Sequence, residues 1–438
     1  MVLVLGVLLA GCGALRPWSF REEVFHPVSV HELENGLTVV LQQDDSVPLA
    51  AASMWVRVGS GDEPEELAGI SHFLEHMLFK GTSRLGVGEY DRRVEAMGGA
   101  LNAATSRDYT NYYVVVPSEH LGELLPDFAD VLRNSTISAE EVENERQVIL
   151  EEISRKADNP FGYLVDEALP RVYAEGPYTH PVIGSRETVS GFTRDEIAEH
   201  YERFYAPGNM VLVLAGDFGE EEALGLVREA FGDFERPYRP YREELPEVQY
   251  AEPAVHEFPR DWNEAYFMLT FPGPAGRDLA AAARGDVVES LLVGGRSSRL
   301  VRSVQERQGL VHSINAWFPA WRAESPLVVW GTCEPARLEE ARAAIMEELE
   351  RLAEEGPSGD ELRRARRQAA NAHLFAQETN LDRAGMLGYS MVLYGSEAYF
   401  TEYGREVEQV GRGQVRSFVR EYLRPEQASV FVTRRAGE

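Results

Sequence analysis

The pentapeptide His72-Phe73-Leu74-Glu75-His76 sets two imidazoles and a carboxylate at a spacing that permits metal chemistry. On an α-helix residues i and i+4 share a face, so His72 and His76 can grip one ion. Glu75 stands beside them, placed to take a proton from water activated there. Alone, such a pattern arises by chance in roughly 2% of chains of this length and histidine content, so it calls for corroboration. A catalytic zinc site takes three protein ligands and keeps a fourth position open, which requires a further donor. The run from Ser138 to Lys156 offers candidates. Glu145 and Glu152 lie seven residues apart on one helical face, with Val148 and Ile149 between them. Carboxylates among apolar neighbours are costly to bury unless paired or metal-bound. Glu140, Glu143 and Glu151 share the run, and spacing alone does not separate Glu151 from Glu152 as the third ligand.

Helices must hold these groups. Asp62 and Glu63 precede Pro64, and apolar residues recur at Leu67, Ile70, Leu74 and Met77/Leu78 before Gly81. This predicts a helix over 64–79. Ser138 with Glu141 reads as a capping box opening a helix over 138–156, which ends before Asp158-Asn159-Pro160. Other helical patterns cover 119–133 and 194–203. A hairpin is expected over 31–42 around Asn35-Gly36, with strands at 50–58 and 211–214. The second half repeats the plan: a strand at 266–271, helices at 281–293 and 335–355, a long helical stretch at 359–391 and a strand at 428–432.

The halves read as diverged copies. Leu101-Asn102-Ala103 recurs as Ile314-Asn315-Ala316, each followed by a strand and a long helix. Phe204-Tyr205-Ala206-Pro207-Gly208-Asn209 recurs as Tyr422-Leu423-Arg424-Pro425-Glu426-Gln427, each before a Val-rich strand. The expected fold class is α+β: two homologous halves, each a mainly antiparallel sheet with helices packed on it. The expected organisation is a signal peptide at 1–11, a tether at 12–26, a zinc-bearing half at 27–235, a Pro- and Glu-rich linker at 236–254, and a second half at 255–438 without the zinc motif.

Composition narrows the partners. Acids outnumber bases 72 to 43, for a net charge of −29, which excludes a nucleic-acid partner that needs a basic footprint. The only lysines, Lys80 and Lys156, read as compositional bias. Of the two cysteines, Cys333 lies in a strand-like run and reads as a small buried hydrophobe. Cys12 ends an apolar run far shorter than the roughly 20 residues that span a bilayer. Leu9-Ala10-Gly11-Cys12 resembles the bacterial lipobox, although no Lys or Arg precedes the run. That resemblance implies cleavage before Cys12, lipidation of its thiol, and a lipoprotein of the bacterial cell envelope facing the periplasm. Gly13 after Cys12 favours the outer membrane.

His72-xx-Glu75-His76 matches the inverted zincin motif. The stretch from Gly69 to Thr82 resembles the pitrilysin/insulinase metallopeptidases, in particular their mitochondrial processing peptidase-like branch. So do Gly98 to Ala103, Thr105 to Asp108, Asn144 to Glu152, Tyr205 to Asn209 and Gly294 to Leu300. The resemblance implies one Zn2+ per chain, held by His72, His76 and Glu152. It implies Glu75 as the general base and Glu145 as a carboxylate supporting the ligands. Leu101, Asn102 and Ala103 resemble the edge strand on which the family docks an extended peptide. Tyr178 and His180 read as parts of a structural turn. The family also places an Arg and a Tyr in its second half, seven residues apart, near the scissile bond. Gln305 and His312 occupy those positions here, so His312 is the candidate substrate contact.

The expectation is a zinc metalloendopeptidase for short or unfolded peptides, anchored through Cys12 and dimeric. One alternative is a heterodimer with a zinc-less homologue that carries the Arg and Tyr. Another is a chaperone-like subunit without hydrolysis, against which the intact Glu75 speaks.

Overall fold

The computed structural model describes residues 27–435; Cys12 and the lipobox lie outside them. The first sheet contains β1 (Val28–Glu32), β2 (Thr38–Gln43), β3 (Leu49–Val56), β4 (Ala100–Thr105) and β5 (Thr110–Pro117). After the short β6 (Tyr173–Glu175), β7 (Met210–Gly216) completes it, in the order β1-β2-β7-β3-β5-β4. Neighbours are antiparallel except β2 and β7. β8 (Gln249–Tyr250) pairs with β6. The second sheet contains β9 (Val255–Pro259), β10 (Ala265–Phe271), β11 (Ser313–Trp317), β12 (Leu327–Cys333) and β13 (Ser429–Arg434). Its order is β11-β12-β10-β13-β9, parallel only at β13 and β9.

Without β1, the two orders and strand directions coincide, so the repeat in the sequence is a repeat in topology. Leu101-Asn102-Ala103 lies in edge strand β4, and Ile314-Asn315-Ala316 in the matching edge β11. The two Pro-led segments form 3-10 turns that feed β7 and β13.

Helices α1 (Ile70–Leu78), α2 (Glu89–Ala96), α3 (Leu121–Asn134), α4 (Ala139–Asp158) and α5 (Pro160–Arg171) follow in the first half. Phe73, Leu74 and Met77 of α1 and Phe128 of α3 share a core with Met54, Tyr112 and Val114 of the sheet. The opposite face is covered from the second half. Helix Asn380–Tyr394 lays Ala384, Leu387 and Met391 on Ala51, Trp55, Val211 and Val213. In return α5 lays Leu164 and Ala168 on Met268, Val328 and Phe431 of the second sheet. This exchange explains why every residue of β7 is buried, as expected for a strand covered on both faces. Arg322 adds a polar latch between the halves. Its guanidinium reaches Asp62 Oδ1 at 2.8 Å, and its backbone N–H donates to Asp108 Oδ2 at 2.8 Å. Tyr178 donates its hydroxyl to Asp108 Oδ1 at 2.7 Å, which gives that turn the structural role read from sequence.

The structure corrects several expectations. The helix expected over 64–79 begins only at Ile70, after two 3-10 turns. Gly69, at φ 95°, makes a left-handed start, and a Cβ there would lie 2.7 Å from Gly184 Cα. The stretch 359–391 breaks into Gly359–Phe375 and Asn380–Tyr394. Thr379 and Asp382 form a capping box that starts the second piece. On α4 only half of the expected box forms: Ser138 accepts the Glu141 N–H, while Glu141 accepts from Asn144. Val148 is exposed and only Ile149 is buried. Cys333 is fully buried, as its apolar run implied, and burial pushes its thiol up to about 11. Among the described residues no helix is long and apolar enough to cross a membrane.

Candidate metal centre

α1 is positioned from outside its own turn. The Glu63 carboxylate accepts the N–H groups of Gly69 at 2.7 Å and Ser71 at 2.8 Å, partnering donors that a helix start leaves orphaned. Glu63 is thus a cap rather than a residue at the helix start. Phe73, Leu74 and Met77 sink into the core, which turns His72, Glu75 and His76 toward α4 and β4.

His72, His76 and Glu152 each bring a donor atom within 4.8 Å of the others. His72 Nε2 lies 3.9 Å from Glu152 Oε1, and His76 Nε2 lies 3.6 Å from Glu152 Oε2. These gaps are too long for hydrogen bonds. Bonds of about 2 Å from one ion to each donor span them. Glu151 is exposed, so between the two carboxylates only Glu152 joins the histidines. Glu145, buried on the same helix, lies at the far side of His76. Its Oε2 is 3.1 Å from His76 Nδ1, which places the proton on Nδ1 and leaves the Nε2 lone pair free. Lys80 Nζ meets Glu145 Oε1 at 2.5 Å.

The electrostatics fit a divalent cation. Burial, followed by the nearby charges of His76 and Lys156, drives the His72 pKa down to about 3, so its imidazole is neutral and able to ligate. His76 behaves in the opposite sense. Burial alone lowers its pKa, but the hydrogen bond it donates to Glu145 and the charges of Glu75, Glu145 and Glu152 together raise it. Three carboxylates around one imidazole leave an excess of negative charge that a dication balances. Two imidazoles and one carboxylate are also the donor set of zinc sites that keep a position open.

Glu75 is held apart from this set. Thr105, the last residue of β4, donates its hydroxyl to Glu75 Oε2 at 2.5 Å. Burial raises the Glu75 pKa, opposed by that hydrogen bond and by His76. Strand β4 forms the open edge of the sheet, with Ala100, Asn102 and Ala104 exposed. The Ala103 N–H donates to Asn102 Oδ1 at 2.9 Å.

Two second-half residues singled out from sequence are not drawn into the cluster. His312 Nδ1 pairs with Glu264 Oε1 at 2.9 Å, and Gln305 donates to the His312 carbonyl at 2.7 Å. Conversely, sequence reasoning missed Thr105 and Lys80. Thr105 continues the period-two alternation of Leu101 and Ala103 toward α1, and Lys80 lies four residues beyond His76. The reading of both lysines as compositional bias is therefore corrected: Lys80 holds Glu145, and the charge of Lys156 bears on His72.

Residues 38–185 match the family described as Insulinase (Peptidase family M16), and residues 191–369 match the Peptidase M16 inactive domain. The chain is similar to an "Uncharacterized zinc protease" of Mycobacterium leprae, with 32% identity over 394 residues, 89% of this chain and 88% of that one. A protein of the same description from Mycobacterium tuberculosis is 33% identical over 395 residues, 89% of this chain and 90% of that one. Among solved structures, a protease from Helicobacter pylori superposes with a TM-score of 0.86 at 23% identity, over 94% of this chain and 100% of that one. The periplasmic protease PqqL from Escherichia coli superposes with a TM-score of 0.77 at 20% identity, over 93% of this chain and 48% of that one.

Proposed function

The chain belongs to the insulinase family of peptidases, M16, and on that premise we propose that it is a zinc endopeptidase for short or unfolded peptides. The observation that carries this reading is the convergence of His72, His76 and Glu152 beside Glu75, at the open edge of a sheet. His72, His76 and Glu152 hold one zinc ion. Zinc bound there supplies Lewis acidity, polarising the scissile carbonyl and acidifying water. β4 binds the peptide backbone as an added strand, which needs no particular sequence. Glu75 takes the proton from the attacking water and returns it to the leaving amine. Glu145, braced by Lys80, fixes the tautomer and orientation of His76.

Thr105 orients the base. Thr105→Val removes its hydrogen bond to Glu75, a bond to a charged group worth about 1.5–3 kcal/mol. The expected result is a fall in kcat/KM of roughly ten-fold or more with zinc content unchanged, and recovery in Thr105→Ser. Equal kcat/KM in Thr105→Val and the parent would remove the orienting role.

A second reading is favoured by Gln305 and His312, which stand in place of the family's Arg and Tyr and are engaged with each other and with Glu264. Gln lacks the cationic fork of Arg. Transition-state donors of this kind are worth about 3–4 kcal/mol, or 10²–10³ in rate. In this reading the chain works in a heterodimer whose partner supplies both groups. Peptide cleavage by the purified chain alone should then be slow, and should rise about 10²-fold on mixing with such a homologue. Full activity of the lone chain would dispose of the heterodimer.

Anchoring through lipidated Cys12 at the periplasmic side of an envelope membrane completes the proposal. Cys12→Ser should abolish lipid labelling and release the chain from the membrane fraction. Equal retention of parent and variant would sink this part.

A further inference from the structure

The two halves meet around a cavity of about 540 Å³, on the face of the first sheet away from the metal cluster. That volume falls in the range of small-molecule sites, which favour the seams between domains. Strands β3 and β5 supply the floor. Trp55 pairs with Asn111 and Ser53 with Tyr113, so these four side chains rise on one face. Helix Asn380–Tyr394 supplies a wall through Asp382, Gly385, Met386 and Tyr389, the i, i+3, i+4 and i+7 positions of one helical face. The cavity therefore follows roughly 10 Å of that helix.

Its lining carries polar groups that the protein leaves unused. Asn111 is 8% exposed, and among the described residues its carboxamide has no hydrogen-bond partner. A buried amide is costly to leave unpaired, and this one faces a space where a ligand can pair with it. Ser53 Oγ accepts the Trp55 indole N–H at 2.9 Å and keeps its own proton to donate. The rings turn around the space rather than stacking in one pile. Trp55 and Tyr109 meet at 50°, Tyr109 and Tyr389 at 89°, and Tyr389 and Tyr399 at 64°. Asp382 is the one formal charge among the described lining residues. Its Oδ2 accepts the N–H of Thr379 at 3.1 Å and its hydroxyl at 2.6 Å, while the side chain stays exposed. A second acid stands behind the rings: Tyr403 donates to Asp286 Oδ2 at 2.5 Å. After burial, the charge of Asp286 helps raise the Tyr399 hydroxyl above its ordinary pKa, so its field reaches the cavity wall.

We propose that this cavity binds a free small organic cation, an ammonium group on a flat apolar body that bears a hydrogen-bonding group. The ring faces and the Asp382 carboxylate attract the ammonium, and Asn111 pairs with the polar group of the body. Anions are disfavoured, because no Lys or Arg is among the described lining residues and the whole chain carries a net −29. Bound there, the ligand touches β3 and β5 of the first half and helix Asn380–Tyr394 of the second, and so stabilises the docking of the halves. The site lies across the sheet from the metal cluster, and it stands whether or not the chain cleaves peptides.

Three probes share one indole body: tryptamine, a cation at neutral pH; tryptophol, with a hydroxyl in place of the ammonium; and indole-3-propionate, an anion. Each is titrated into the full chain by calorimetry. Tryptamine should bind roughly ten-fold more tightly than tryptophol, and indole-3-propionate more weakly than either. Asp382→Asn removes the charge while keeping a capping oxygen. It should bring tryptamine down toward tryptophol and leave tryptophol unchanged, which also shows the cavity intact. A Cβ added at Gly385 meets no atom within 4 Å, so Gly385→Phe extends into the space in a helix where Gly is itself a poor former. That variant should lose both ligands. Saturating tryptamine should raise the Tm of the parent and leave that of Gly385→Phe unmoved. No binding of tryptamine, equal affinity for the three probes, a preference for the anion or the alcohol, or a tryptamine preference unmoved by Asp382→Asn would overturn the assignment. Binding undiminished in Gly385→Phe would put the ligand elsewhere and overturn it as well.

Discussion

Glu75→Gln is expected to keep zinc at about one per chain and to lower peptide hydrolysis by about 10²–10⁴-fold. The side chain keeps its length and its hydrogen bond from Thr105 but loses the capacity to take a proton. It is not among the three converging donors, so metal affinity should hold. Metal analysis and cleavage assays on one preparation separate the two effects. Zinc retained with hydrolysis undiminished would remove Glu75 as the base.

His72→Ala and His76→Ala should each abolish metal binding, and hydrolysis with it. Each deletes one of three donors, and the cluster has no described fourth protein donor to replace it. Glu152→Gln should weaken binding, because a neutral amide is a poorer ligand and removes a negative charge from the site. Glu151→Gln should change nothing, since Glu151 faces solvent. Zinc affinity measured by competition with a chromophoric chelator gives the order. Weakening by Glu151→Gln in place of Glu152→Gln would show that the wrong carboxylate has been assigned.

The parts of the site legible in the sequence were those fixed by local geometry. The i, i+4 spacing of His72 and His76 needs only a helix. Glu145 and Glu152 share a face for the same reason, and Ser138 caps their helix through its own hydroxyl. Asn35-Gly36 set the first hairpin because a tight turn requires such residues. What the spacing left open was the choice between Glu151 and Glu152. That choice depends on which side of α4 meets α1, a packing fact settled in three dimensions by Ile149 and Val142 in the core.

Other features were hidden because their partners are distant in sequence. Thr105 meets Glu75 across 30 positions, and Glu63 caps α1 from six residues upstream of Gly69. The exchange of covering helices was invisible for the same reason. Leu387 and Met391 read as one face of an amphipathic helix, and nothing in that periodicity says that the sheet beneath belongs to the other half. The break after Phe375 was present in the sequence as Thr379-Asn380-Leu381-Asp382, a capping box obscured by the helical pattern on either side.

The most direct test of the central claim is restoration of activity by zinc. The chain is stripped with a chelator and dialysed, and zinc is returned stepwise while cleavage of an unfolded peptide and zinc bound per chain are followed together. Hydrolysis should vanish on stripping and return in step with about one bound zinc per chain, and His72→Ala should neither bind the ion nor recover. Hydrolysis that survives complete removal of metal, or zinc bound as tightly by His72→Ala as by the parent, would contradict the account.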